Sequence, residues 1–186
     1  MKILDHLEEW LIAFLMAAAT IVTFAAVLHR YASGIPIPAM QDVLIRINTS
    51  WAQELTIYLF VWMAKFGAAY GVRTGIHVGV DVLINRLDTP WRNKFVIFGL
   101  LAGAFFTATV GTLGAKFVWE IGHTDQVSAD MEIPMWIVYM AVPLGSYLMS
   151  FRFLQVTWQF IKTGELPKHD HTHVEGLEQE TEGAKA

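Results

Sequence analysis

From Leu11 to Leu28 the chain runs 18 residues without a charged side chain. A helix rises about 1.5 Å per residue and the hydrocarbon core of a bilayer is about 30 Å thick, so ~20 apolar residues make a crossing. Three further long apolar runs follow, at about 55–72 and 95–119, each with a single lysine, and at 135–151. Only 16% of the chain is charged, against roughly 25% in an average soluble domain, and the deficit is concentrated in these runs. The sequence therefore predicts an all-α integral membrane bundle of four transmembrane helices, one domain over 1–163. Residues 164–186 are polar, acidic and poor in apolar side chains, a composition expected to stay disordered.

Several function classes are excluded early. The formal net charge of −4 provides no basic footprint for nucleic acid. The absence of cysteine removes disulfides, thiolate metal sites and thiol catalysis. No Ser/His/Asp set, buried carboxylate pair or phosphate-binding glycine loop occurs, so the sequence makes no case for an enzyme.

In chain order, the first run is too long for a signal-peptide core of roughly 7–15 residues. Its leading segment holds Asp5, Glu8 and Glu9 rather than a basic region, so a retained helix is expected. In the first loop, Pro36 and Pro38 bias their predecessors away from helix. Met40, Val43, Leu44, Ile47 and Trp51 then fall on one helical face. They describe either a short amphipathic helix at the interface leading into the second span, or a loop packed on the bundle. Thr74–Leu87 is too short and polar to cross; a helix lying flat on the membrane is expected there, although Ile76–Val82 also alternates like a strand. Thr89 reads as a helix cap with Pro90 at the first helical position. In the third span, Gly99, Gly103, Thr107, Gly111 and Ala115 recur every four residues, a stripe suited to close helix packing. Ala64 with Ala68, and Gly67 with Gly71, offer the same in the second span. Pro134 opens the fourth span, which contains Pro143 and Gly145.

Cations set the expected orientation. With four spans, one side carries Lys2, Arg73, Arg86, Arg92, Lys94, Arg152, Lys162, Lys168 and Lys185, and the other only Arg30 and Arg46. The positive-inside bias places both termini in the cytoplasm.

Lys65 is the cation inside the second run, and such a charge costs roughly 2.5–3.5 kcal/mol on insertion scales. No apolar run of this chain contains a carboxylate to neutralise it. A partner protein's carboxylate or helix carbonyls, or snorkelling to the surface, are the acceptors to expect. His29, His77 and His123 lie at span ends or in loops on different sides, which disfavours haem held between two of them. His169, His171 and His173 in the tail read as solvated rather than metal-binding, and no cofactor is expected.

The string Trp51-Ala-Gln-Glu54, then Trp62, then Gly67-Ala-Ala-Tyr-Gly-Val-Arg73-Thr-Gly-Ile-His77-Val-Gly-Val-Asp81, resembles the DctQ-type small membrane subunit of tripartite ATP-independent periplasmic (TRAP) transporters. Ile133-Pro134-Met-Trp136, with Pro143-Leu-Gly145 and Arg152, is similar to the same family's fourth helix, and the resemblance spans about 8–160.

That resemblance implies a bacterial inner-membrane scaffold subunit. It would pair with a large DctM-type membrane subunit, served by a periplasmic DctP-type binding protein. Together they would import a small organic acid, such as a C4-dicarboxylate, on an ion gradient, usually sodium. It implies packing and orientation roles, not chemistry, for Trp51, Glu54, Trp62, Arg73, His77 and Asp81. Glu54 would anchor one end of the second helix and Arg73 the other, while His77 and Asp81, four apart, would pair. Lys65 and the glycine stripe would face the large subunit or neighbouring helices. Acidic Glu120, Asp125, Asp130 and Glu132 are candidates for the binding protein's docking surface. The rival readings are an anchor subunit for a respiratory redox enzyme and a stand-alone homo-oligomeric carrier.

Overall fold

A computed structural model describes residues 2–75, 89–164 and 166. Among the described residues every element is helical: α1 (Lys2–Ser33), α2 (Pro38–Ile45), α3 (Ser50–Thr74), α4 (Thr89–Gly122), α5 (Met135–Tyr139) and α6 (Ala141–Thr163). Four stretches are long and apolar enough to cross a membrane: His6–Ser33, Ser50–Thr74, Trp91–Gly122 and, taking α5 and α6 together, Met135–Thr163. The expected segment at Thr74–Leu87, with His77 and Asp81, falls almost wholly outside the described residues, as do most of the tail and its histidines.

Local chemistry accounts for the helix ends. After α1 the chain turns at Gly34, whose N–H bonds the Tyr31 carbonyl at 3.1 Å. Pro38 occupies the first turn of α2, where its missing N–H costs nothing. The apolar face read through Met40, Val43, Leu44, Ile47 and Trp51 is not one helix. α2 stops at Ile45, and Trp51 belongs to the first turn of α3. Asn48 divides the two by accepting from the backbone N–H of Ser50 at 2.9 Å. α3 ends at Gly75, in the left-handed conformation at φ 82°, with its N–H on the Gly71 and Val72 carbonyls.

The hydrogen-bond ladder of the fourth span is interrupted at Met140, although the backbone there stays in the right-handed helical region and the Met140 N–H bonds the Trp136 carbonyl at 3.0 Å. Pro143 explains the interruption: it has no N–H for the carbonyl four residues back, that of Tyr139, and its ring crowds that carbonyl. Tyr139 is accordingly the last residue of α5. Beyond Met140, α6 runs 23 residues to Thr163, well past the expected end near 151.

The helices form an open row. α1 packs on α3, α3 on α6, and α6 on α4, so the order in space is first, second, fourth, third. The most extensive contact is between α4 and α6, where aromatic rings of α6 fill gaps left by small residues of α4. Phe153 sits on Gly103 and Tyr147 on Gly111, while Ser150 Oγ donates to the Ala104 carbonyl at 2.9 Å. Val72, Val96, Leu100, Val156 and Phe160 close a small core joining α3, α4 and α6. A row leaves broad apolar faces uncovered: Phe24 is 63% exposed and Phe105 76%. In water such faces would be untenable, whereas lipid chains cover them.

Candidate functional site

The row has a basal end, where α1 begins and α6 finishes, and a distal end carrying the first and third loops. Both ends are tied by charged side chains that cross between helices.

At the basal end Arg152 of α6 is 1% exposed and Glu8 of α1 is 6% exposed. The Arg152 guanidinium donates to Glu8 Oε1 from Nη2 at 2.6 Å and from Nε at 3.1 Å, and Nη1 donates to Gln155 Oε1 at 2.6 Å. The planar fork suits this several-bonded arrangement better than an ammonium would. The neighbouring carboxylate, Glu9, takes a 2.9 Å bond from Arg73 near the end of α3, and that guanidinium lies 4.8 Å from the Tyr70 ring centre. Two successive acids of α1 thus hold two different helices.

At the distal end Glu54, one turn into α3, reaches the third loop. Its Oε2 accepts from the backbone N–H groups of Asp130 and Met131, each at 2.9 Å, and its Oε1 from that of Ala129 at 3.1 Å. The Tyr58 hydroxyl, one turn along, also donates to Oε1. The loop closes on itself as well, with Ser128 N–H on the Ile133 carbonyl at 2.8 Å and Met135 N–H on that of Gln126 at 3.0 Å. Pro134 and Val127 form the bridge between these bonds.

Midway, Lys65 lies where α3 crosses α6. A Cβ added to Gly145 would stand 2.5 Å from Lys65 Cβ and 3.3 Å from its Cα, so the glycine sets how closely the two helices approach. The Lys65 ammonium makes no hydrogen bond or ion pair with the described residues.

The other sequence-derived positions are scattered. Trp51 Nε1 donates to the Asn48 carbonyl at 3.1 Å, and Trp62 stacks on Phe66 with ring centres 5.9 Å apart. Gly99 faces open space while Gly103 and Gly111 meet α6. Trp136 and Pro143 line a shallow apolar groove with Trp119 and Tyr147. His29 spends both ring nitrogens inside the chain, with Nε2 3.0 Å from the Leu44 carbonyl and Nδ1 3.4 Å from the Thr49 hydroxyl. Sequence reading did not single out Glu8, Glu9, Tyr58 or Gln155. The available signal was two acids opening a helix at the end richest in cations.

Helices of spanning length, ties at both ends and one lysine at a helix crossing define an integral-membrane subunit organised for packing. Comparison with known proteins gives the family. Residues 19–163 match the model for the DctQ component of tripartite ATP-independent periplasmic transporters. The chain is 53% identical to the C4-dicarboxylate TRAP transporter small permease protein DctQ of Rhodobacter capsulatus, over 100% of this chain and 90% of that one. It is 33% identical to the protein of the same description from Vibrio cholerae, over 98% and 82%. It is also 24% identical to the isethionate TRAP transporter permease protein DctMQ of Oleidesulfovibrio alaskensis, over 80% of this chain but 22% of that longer protein. The chain belongs to the DctQ family: it is a small permease subunit of a TRAP transporter, not an enzyme.

Proposed function

We propose that this subunit is the scaffold of an importer for C4-dicarboxylates, working with a large DctM-type membrane subunit and a periplasmic DctP-type binding protein. The observation that carries the substrate class is the 53% identity, over the full chain, to a small permease described as a C4-dicarboxylate transporter component. The large partner is supported by the relative in which a segment like this one makes up about a fifth of a longer permease, 22% of its length. An ion gradient, usually sodium, drives import. The subunit resides in the bacterial inner membrane with both termini cytoplasmic, in keeping with the cation count on the two sides.

Within that assembly Glu54 positions the third loop for the binding protein. Arg73 and Glu9 fix the cytoplasmic end, His77 and Asp81 orient the segment after α3, and Trp51, Trp62 and Trp136 set membrane depth. Gly103, Gly111, Pro143 and Gly145 serve helix packing. Lys65 and the open side at Gly99 face the large subunit. Extraction of the tagged protein in mild detergent should bring down a many-spanning membrane protein. Deleting this gene should abolish sodium-dependent uptake of labelled succinate, and restoring it should return uptake. Purification of the chain alone, or undiminished uptake in the deletion strain, would refute the proposal.

A further inference from the structure

At the distal end a groove of about 660 Å³ opens between α1 and α3, within the ~300–1,000 Å³ range of small-ligand sites. Its chemistry changes along its length. Thr23 and Thr56 meet across the floor at 3.2 Å, and Thr56 also donates to the Ala52 carbonyl at 2.8 Å, so these hydroxyls are already engaged. Below them the lining is apolar, with Ile57 and Phe60 on α3, while Ala26 and Val27 of α1 stand about 4–6 Å distal to the contact, level with Gln53. Toward the distal mouth it turns polar, and most of that polarity is also spent: His29 bonds Leu44 and Thr49, and Ser33 bonds the His29 carbonyl.

Two groups at the mouth remain. Arg30 on α1 and Gln53 on α3 both line the groove, and neither makes a hydrogen bond or ion pair with the described residues. By helix rise, Gln53 stands about 4–5 Å and Arg30 about 10 Å distal to the Thr23–Thr56 contact. A guanidinium and an amide therefore stand at neighbouring depths, above an apolar trough running toward the membrane centre. No Asp or Glu is among the described lining residues, so a cationic head-group amine would find no partner there.

We propose that this groove holds one anionic phospholipid, its phosphodiester between Arg30 and Gln53 and one acyl chain lying along Val27, Ile57 and Phe60. The graded lining distinguishes a lipid from a free anion, which would leave the apolar part unused. It also distinguishes an anionic head group from a zwitterionic one.

The test is native mass spectrometry of the full-length protein extracted in mild detergent, followed by delipidation and refilling. Wild type should retain one phosphatidylglycerol-type lipid and, once stripped, refill with phosphatidylglycerol in preference to phosphatidylethanolamine. Inorganic phosphate should not displace the lipid. Arg30→Leu should lower the lipid-bound fraction about tenfold, the loss of one charge-assisted contact. Ile57→Trp, which leaves the cation in place and fills the trough, should also expel the lipid, and it carries the test should the arginine variant fail to fold. Retention unchanged in a folded variant, or equal refilling by both lipids, would overturn the proposal. So would cross-linking of a single Ile57→Cys to another membrane protein, because the groove would then be a protein interface.

Discussion

Arg152 donates two hydrogen bonds to a single carboxylate oxygen of Glu8, 144 positions earlier in the chain. The other oxygen, Oε2, is buried with no hydrogen-bond partner among the described residues. Removing Glu8 takes both of these charge-assisted hydrogen bonds from a buried guanidinium, and bonds to charged groups are worth about 1.5–3 kcal/mol each. Glu8→Ala should therefore lower the thermal midpoint of the purified subunit markedly. The double change Glu8→Leu with Arg152→Met should recover much of the loss, since an apolar pair of similar volume pays no desolvation. Equal melting of Glu8→Ala and wild type would show that the pair contributes nothing to stability.

Glu54→Gln keeps the side chain's size but removes the charge and one acceptor. The three amides it holds, those of Ala129, Asp130 and Met131, should exchange with solvent at least about tenfold faster in hydrogen–deuterium exchange. Amides in the middle of α4 should be unaffected. Unchanged exchange over 129–131 would mean that the loop holds itself without the carboxylate.

Gly145 and Gly99 make a matched pair. Gly145→Ala drives a methyl into the Lys65 backbone and should destabilise the α3–α6 contact by about 1–3 kcal/mol. Gly99→Ala meets nothing within the chain and gains helix propensity, so the isolated subunit should tolerate it. Thermal melts of the two variants side by side decide the matter. A neutral Gly145→Ala would imply that the two helices readily part.

Lys65→Met removes an intramembrane cation with no partner among the described residues of its own chain. The isolated subunit should be unharmed or more stable, while recovery of the large subunit in pull-downs and the uptake rate should both fall. Unchanged assembly and uptake would show that Lys65 does not serve the interface.

The sequence made the four spans legible because long apolar stretches with at most one charge have few alternatives in water or in lipid. The family was legible too, from its tryptophans, glycines and scattered charges. The order of the helices in the row was not. Inside a membrane, the faces that meet lipid and the faces that meet protein have similar composition, so Phe105 in the open and Phe153 on Gly103 look alike as letters. The glycine stripe gave half the answer. A four-residue repeat drifts about 40° per step around the helix, so Gly103 and Gly111 still meet α6 while Gly99 has turned away. Pro143 was visible, but not how it would act: it interrupts the hydrogen-bond ladder near Met140 while the backbone stays helical and the span continues. Glu8 and Arg152 could not be paired without knowing that the first and last helices come together at the basal end.

Helices set about 8–10 Å apart in single file make a plank roughly 30–40 Å long, whereas the same four in a square would span about half that. A plank has more rim per helix, and so meets more of the surrounding fluid whenever it is pushed sideways or turned. In the proposed assembly, a large subunit that moves and is fastened to one edge would gain a long lever arm, and viscous drag on the far edge would oppose its recoil. Four thin helices can in this way supply an anchorage out of proportion to their mass.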